Sequence, residues 1–177
     1  MTLEADFLTS AADKLAENLD RIETCLTELP PHSLWTRDSE NENAVGNLLL
    51  HLEGNVRQWI LSGIGAGPDE RDRPSEFSAR TGADASVLFA KLRGTVGDAL
   101  ALIRSLPHRR LAEKVSIQSY DTTVLSAIFH VVEHFSGHTY QIILLTKRFT
   151  GKGLGFYSDL DKTGRRETEQ EAPVPPE

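Results

Sequence analysis

His130-Val-Val-Glu-His134-Phe-Ser-Gly-His138-Thr-Tyr-Gln141 is the stretch on which the fold turns. Around it Val124, Leu125, Ile128, Val131, Val132, Phe135, Ile142 and Ile143 crowd one face of a 100°-per-residue wheel, the pattern of an amphipathic helix. Its three histidines recur every four residues, so in a helix they form a slowly drifting stripe. Neighbours in the stripe can share one metal ion. The outer two, His130 and His138, lie roughly 12 Å apart along the axis, too far for Zn–N distances of about 2 Å. His138 falls within the apolar face, His134 at its margin and His130 towards solvent. The pair that points inward is therefore His134 and His138, and a third ligand must come from elsewhere.

The rest of the chain supplies three more such helices. Leu8, Ala11, Leu15, Leu19, Ile22, Leu26 and Leu29 predict a helix over 3–29, stopped by Pro30 and Pro31. A polar connection over 32–42 follows; in it Ser39 and Glu42 have capping-box spacing, and Trp35 is expected to pack on the end of the bundle. Val45, Leu48, Leu49, Leu52, Val56, Trp59 and Ile60 predict a second helix over 43–62, ended by Gly63, Gly65, Gly67 and Pro68. Residues 69–83 read as a polar loop, either solvated or covering a pocket. A third helix runs over 84–106 with Asp84 as cap, and its Gly94 and Gly97 suggest close approach of a neighbouring helix or a ligand. The connection 108–120 contains a brief alternating segment. The fourth helix starts at 121–123 and ends at Gly151. Four long amphipathic helices predict an all-α four-helix bundle over residues 1–160, and the charged, proline-rich segment 161–177 reads as a disordered tail.

Composition narrows the function. A net charge of −7 argues against nucleic acid and against anionic membrane surfaces. No apolar run approaches the ~20 residues of a membrane span, and the acidic N-terminus is not a signal peptide, so a soluble, cytoplasmic protein is expected. One cysteine, Cys25, permits neither a disulfide nor a thiolate metal cage within the chain. It sits among helical apolar positions as a small buried hydrophobe.

His51 is the outstanding third ligand, because it flanks the apolar stripe of the second helix as His134 flanks that of the fourth. Three neutral imidazoles leave coordination positions open, as catalytic sites do. They suit Zn, Ni, Cu or Fe. His32 and His108, beside prolines in polar connections, read as surface residues. Glu53 and Glu133 fall away from the triad side of their helices, which leaves no evident general base.

Three stretches carry a family resemblance: Asn47-Leu-Leu-Leu-His51-Leu-Glu-Gly-Asn55-Val-Arg-Gln-Trp59, Arg71-Asp-Arg73-Pro-Ser-Glu76-Phe77, and the histidine stretch itself. In them the chain resembles the DinB-like superfamily of metal-binding four-helix bundles over about residues 3–158. The resemblance implies a divalent metal (Zn, Ni or Fe) at His51, His134 and His138, and it implies homodimers. Relatives include transferases and isomerases that use low-molecular-weight thiols. One departure is Tyr140, where the family often has glycine; the wheel points it away from the core.

Three functions compete. The first is thiol-dependent S-transfer on a small-molecule substrate, the metal holding the thiol as thiolate. In it Asn55 and Gln141 support the ligands or the cofactor. Arg71 and Arg73 either contact carboxylates of the thiol or, the heavier reading, are surface charge. The second is hydrolysis by a metal-activated water. The third is a non-catalytic, stress-associated metal-binding protein. An apolar edge of the fourth helix formed by Phe129, Ile143 and Leu144 points to a dimer interface.

Overall fold

The computed structural model describes residues 2–158 and 160; the segment 161–177 lies outside the described residues. The chain is an all-α bundle with one small hairpin. Its order is α1 (Leu3–Glu28), α2 (Val45–Val56), a π-helical continuation (Arg57–Ser62), α3 (Arg73–Ser78), α4 (Ala85–Ser105), β1 (Lys114–Ile117), β2 (Tyr120–Thr123) and α5 (Val124–Thr150). Helices α1 and α2 each pack against α4 and α5, which closes a ring of four around one core. Phe135, Leu15, Ile22, Leu48, Leu52, Leu92, Ile103 and Ile128 lie at its centre.

Local chemistry sets each boundary. Thr2 Oγ1 accepts from Ala5 N at the start of α1, and Pro30 and Pro31 follow its end. The expected Ser39–Glu42 box does not open α2. Instead Asn47 Oδ1 accepts from Ala44 N at 3.1 Å, while Asn47 Nδ2 donates to the carbonyls of Glu76 and Ala79. One asparagine thus caps α2 and ties down the segment around α3. Trp35 does pack onto the bundle: a Cβ on Gly46 would lie 2.8 Å from its ring. Thr123 caps α5 through Ser126 N, and Gly151, at φ 66°, ends α5 in the left-handed conformation that glycine tolerates.

Three expectations need correction. The loop 69–83 contains α3, capped by Asp72 with Pro74 in its first turn. The second helix does not run as an α-helix to residue 62. Gly63 N donates to Gln58 O and Gly65 N to Ile60 O, both five residues back, so its end is a π-helix. Around Gly94 and Gly97 a Cβ would meet nothing within 4 Å, so neither glycine serves a close approach. The alternating piece in 108–120 is β1 of a hairpin with Ile117 opposite Tyr120; its two turn residues, Gln118 and Ser119, both have positive φ.

Helix α2 is buried on every side except at Leu50. A helix enclosed in this way takes its polar side chains inside with it. Asn47, His51, Glu53 and Asn55 are consequently buried, and each needs a partner. Glu53 has three: Thr95, Arg57 and Lys91. Burial alone would raise its pKa, but these partners hold the carboxyl below its usual range. Cys25 is fully buried, and burial pushes its thiol pKa up, which makes it an unreactive core residue. No helix among the described residues is long and apolar enough to cross a membrane.

Candidate metal centre

His51 on α2 meets His134 and His138 on α5 across the bundle. The Nε2 atoms of His51 and His134 are 2.9 Å apart, those of His138 and His134 3.2 Å. The three ligand atoms all lie within 4.8 Å of one another. His130 stays outside: its ring stacks on Trp59 at 4.2 Å between centroids. Burial lowers its pKa.

The other ring nitrogens orient two of the imidazoles. His51 Nδ1 lies 2.8 Å from Glu76 Oε2. Arg71 Nη2 is 3.1 Å from the same nitrogen but donates to Glu76 Oε2 at 2.9 Å, so the Nδ1 proton also goes to the carboxylate. His138 Nδ1 lies 3.0 Å from Gln141 Oε1, which can only accept. Both rings therefore carry their proton on Nδ1 and aim an Nε2 lone pair at His134 Nε2. A proton on that nitrogen can serve only one of the two. A shared cation satisfies all three, and zinc with Zn–N of about 2.0–2.1 Å places tetrahedral nitrogen ligands about 3.3 Å apart. The donor set and its spacing fit a divalent metal ion. His134 Nδ1 is buried and has no partner among the described residues.

The imidazoles of His134 and His138 are held neutral. The His134 pKa is pushed down to about 3, first by burial and then by His138, His51, His130 and Arg71. Burial also lowers that of His138, against the hydrogen bond it donates to Gln141.

Behind His51 stands a buried ion pair. Arg71 Nε donates to Glu76 Oε1 at 2.7 Å, and the two side chains are only 3% and 7% exposed. Burial by itself raises the Glu76 pKa, but Arg71 and His51 outweigh it and keep the carboxylate charged. Arg71 Nη1 also donates to Gln58 Oε1, and Gln58 bonds in turn to Asp69 and to Gln118 on the hairpin. Surface charge, the heavier of the two expectations for Arg71, is thereby corrected, since its guanidinium is committed to Glu76. Glu76 itself was missed as a functional residue. Its sequence signals are its place in the Arg71–Phe77 stretch that carries the family resemblance, a carboxylate five residues from an arginine, and a neighbouring Phe77, whose ring lies 4.7 Å from that of His51.

A cleft of about 440 Å³ opens beside His51 and His134, lined also by Asn55, Trp59, Arg73, Tyr120, Asp121 and His130. Arg73 lies over the Phe77 ring at 5.0 Å. Asn55 Oδ1 and Trp59 Nε1 are buried without a partner among the described residues. Such atoms cost about 1–3 kcal/mol each unless water or a ligand satisfies them. Of the sequence-derived candidates, the structure therefore brings His51, His134, His138 and Gln141 into one cluster. It places Asn55 and Arg73 on the adjoining cleft and Arg71 behind His51.

The sequence profile of a family described as Protein of unknown function (DUF1572) matches residues 2–158. The chain belongs to the DUF1572 family. No curated protein matches it. Among solved structures, the crystal structure of the conserved protein of locus from Enterococcus faecalis superposes with a TM-score of 0.71 at 14% identity, covering 86% of this chain and 99% of that one. At that identity the likeness concerns the fold, and it shows this DUF1572 member to share its bundle with that protein.

Proposed function

We propose that this DUF1572 member is a DinB-like, metal-dependent enzyme that transfers a low-molecular-weight thiol to an electrophilic small molecule, with His51, His134 and His138 as the metal ligands. The observation that carries it is the convergence of three Nε2 atoms from two helices, two of them fixed as lone-pair donors by Glu76 and Gln141. His51, His134 and His138 would hold a divalent cation, whose positive charge would favour the thiolate form of a thiol, the better nucleophile. The sulfur forms a bond to an electrophilic carbon as the leaving group departs with its electron pair, and the thiol proton passes to solvent.

The chain's own residues provide the setting. The ligand set contains no carboxylate, and Arg71 and Glu76 cancel each other, so the charge of a bound cation would remain to attract an anionic ligand. Hydrolysis, the alternative, finds no general base among the buried carboxylates nearby: Glu76 is committed to Arg71 and His51, Glu53 to Arg57, Thr95 and Lys91. Neither is free to serve as a general base. The molecule is proposed to work as a homodimer, joined through the exposed face of α5.

Metal analysis of protein purified without an affinity tag, followed by a panel of thiols with alkylating and aryl electrophiles, tests this. One divalent ion per chain and thiol-dependent consumption of an electrophile are expected. Stoichiometric metal without thiol affinity or turnover would leave a metal-binding protein and no enzyme.

A further inference from the structure

Two side chains of opposite charge, Arg73 and Asp121, line the cleft that opens beside His51 and His134. Neither takes part in any ion pair among the described residues. They come from different elements. Arg73 opens α3, while Asp121 lies on β2 opposite Ser116. Arg73 is not a loosely tethered charge, because its guanidinium rests over Phe77, whose ring packs against His51. The cationic wall is thus tied to the histidine cluster through one aromatic ring. The same cleft is lined by Trp59 and Asn55, each nine-tenths buried, with a donor (Nε1) and an acceptor (Oδ1) that have no partner among the described residues.

A cleft in which Arg73 and Asp121 are unpaired among the described residues, beside a metal-binding end, calls for a ligand with three matching groups. We propose that it selects a cysteinyl thiol carrying both a free carboxylate and a free ammonium: sulfur towards the histidines, carboxylate towards Arg73, ammonium towards Asp121. The planar guanidinium suits a carboxylate through paired N–H donors, and a carboxylate at Asp121 suits an ammonium. Simple neutral thiols and thiols with one charge would each leave part of this pattern unanswered. The selection rests on the thiol-transfer function proposed above and names the class of thiol.

Four thiols separate the contributions: L-cysteine, cysteamine (no carboxylate), 3-mercaptopropionate (no ammonium) and 2-mercaptoethanol (neither). Each is titrated calorimetrically into the full chain loaded with one equivalent of zinc, with zinc retention checked afterwards. Both positions are exposed, so Arg73→Ala and Asp121→Asn retain the fold. Cysteine is expected to bind most tightly. Arg73→Ala should weaken cysteine about tenfold and erase its advantage over cysteamine while keeping its advantage over 3-mercaptopropionate. Asp121→Asn should do the converse. Because the variants share one thiol series, the affinity of free thiols for zinc cancels from these ratios. Thiols that bind without such preference, or ratios that ignore both substitutions, overturn the selection and leave the proposed function standing. Protein that holds no zinc, or zinc-loaded protein that binds no thiol, overturns both.

Discussion

Replacing His138 by alanine removes one of three convergent nitrogens and leaves the His51–His134 contact unsupported by a third donor. Metal binding is expected to be abolished. His130→Ala leaves the three nitrogens in place, removes only the stack on Trp59, and should retain one ion per chain by metal analysis. Equal metal content in the two variants would count against the triad. Glu76 acts through His51, as a positioning residue. Glu76→Ala frees the imidazole to change tautomer and strands Arg71, so metal affinity should drop by about 10–100-fold. Glu76→Gln keeps an oxygen acceptor without the charge and should lose less. Competition titrations with a chromogenic chelator, on variants checked for helicity, measure both; unchanged affinity in folded Glu76→Ala would remove Glu76 from this role.

At the scale of elements, the contact between α2 and α3 decides whether His51 is held. It depends on Gly54. A Cβ there would lie 2.2 Å from Glu76 Oε1 and 2.9 Å from Arg71 Nε, and neither atom can swing away without breaking the buried pair. Gly54→Ala is therefore expected to destabilise the protein by about 1–3 kcal/mol and to weaken metal binding with it. Thermal unfolding with and without zinc reads both effects, and an alanine variant with wild-type melting and affinity would show that α3 is not held this way. The same contact explains what sequence periodicity left unseen. Helices α1, α4 and α5 bury one stripe each, and a stripe can be read from the spacing of leucines. Glu76 and Arg71 sit in a charged, irregular stretch without such a period, so nothing local marks them as buried. Likewise Gln118 and Ser119 form a turn with positive φ at both positions although neither is the glycine or asparagine that usually announces one.

For the molecule as a whole, acid should be more damaging to the metal-free protein than to an ordinary bundle. An unfolded histidine takes up its proton below about pH 6.5, whereas folded His134 resists until about pH 3. Between these values the unfolded state binds more protons, so stability falls as pH falls, at most by about 1.4 kcal/mol per pH unit from this residue. The lowered carboxyls of Glu53 and Glu76 add a loss of the same sign as they are protonated. Urea unfolding in chelator at pH 7, 6 and 5 should show a falling midpoint; a flat profile would contradict a neutral, half-buried His134. The proposed dimer is also a whole-molecule property. Leu125, Phe129, Tyr140 and Leu144 are 41%, 59%, 52% and 67% exposed on one face of α5. Ile143, expected at the same edge, is instead buried in the core at 7% exposure. Light scattering at micromolar concentration should give twice the 19.6 kDa chain mass, reduced towards one by Phe129→Glu with Leu144→Glu. A mass of 19.6 kDa throughout would leave that face without a partner copy.

What the sequence determined by itself is the set of long helices and the histidines that flank their apolar stripes. Both follow from periodicity, and a side chain's position on a helix is set by backbone geometry alone. Hence the inward lean of His134 and His138 over His130, and the choice of His51, were legible before any fold was known. Only the tertiary structure decided how those histidines are held. The carboxylate behind His51 arrives from a segment 25 residues further along the chain. Its burial is tolerated because Arg71 is buried with it. Pairings of this kind depend on which surfaces meet when the helices pack and on the enclosure of α2, whose polar residues must find partners wherever the bundle provides them.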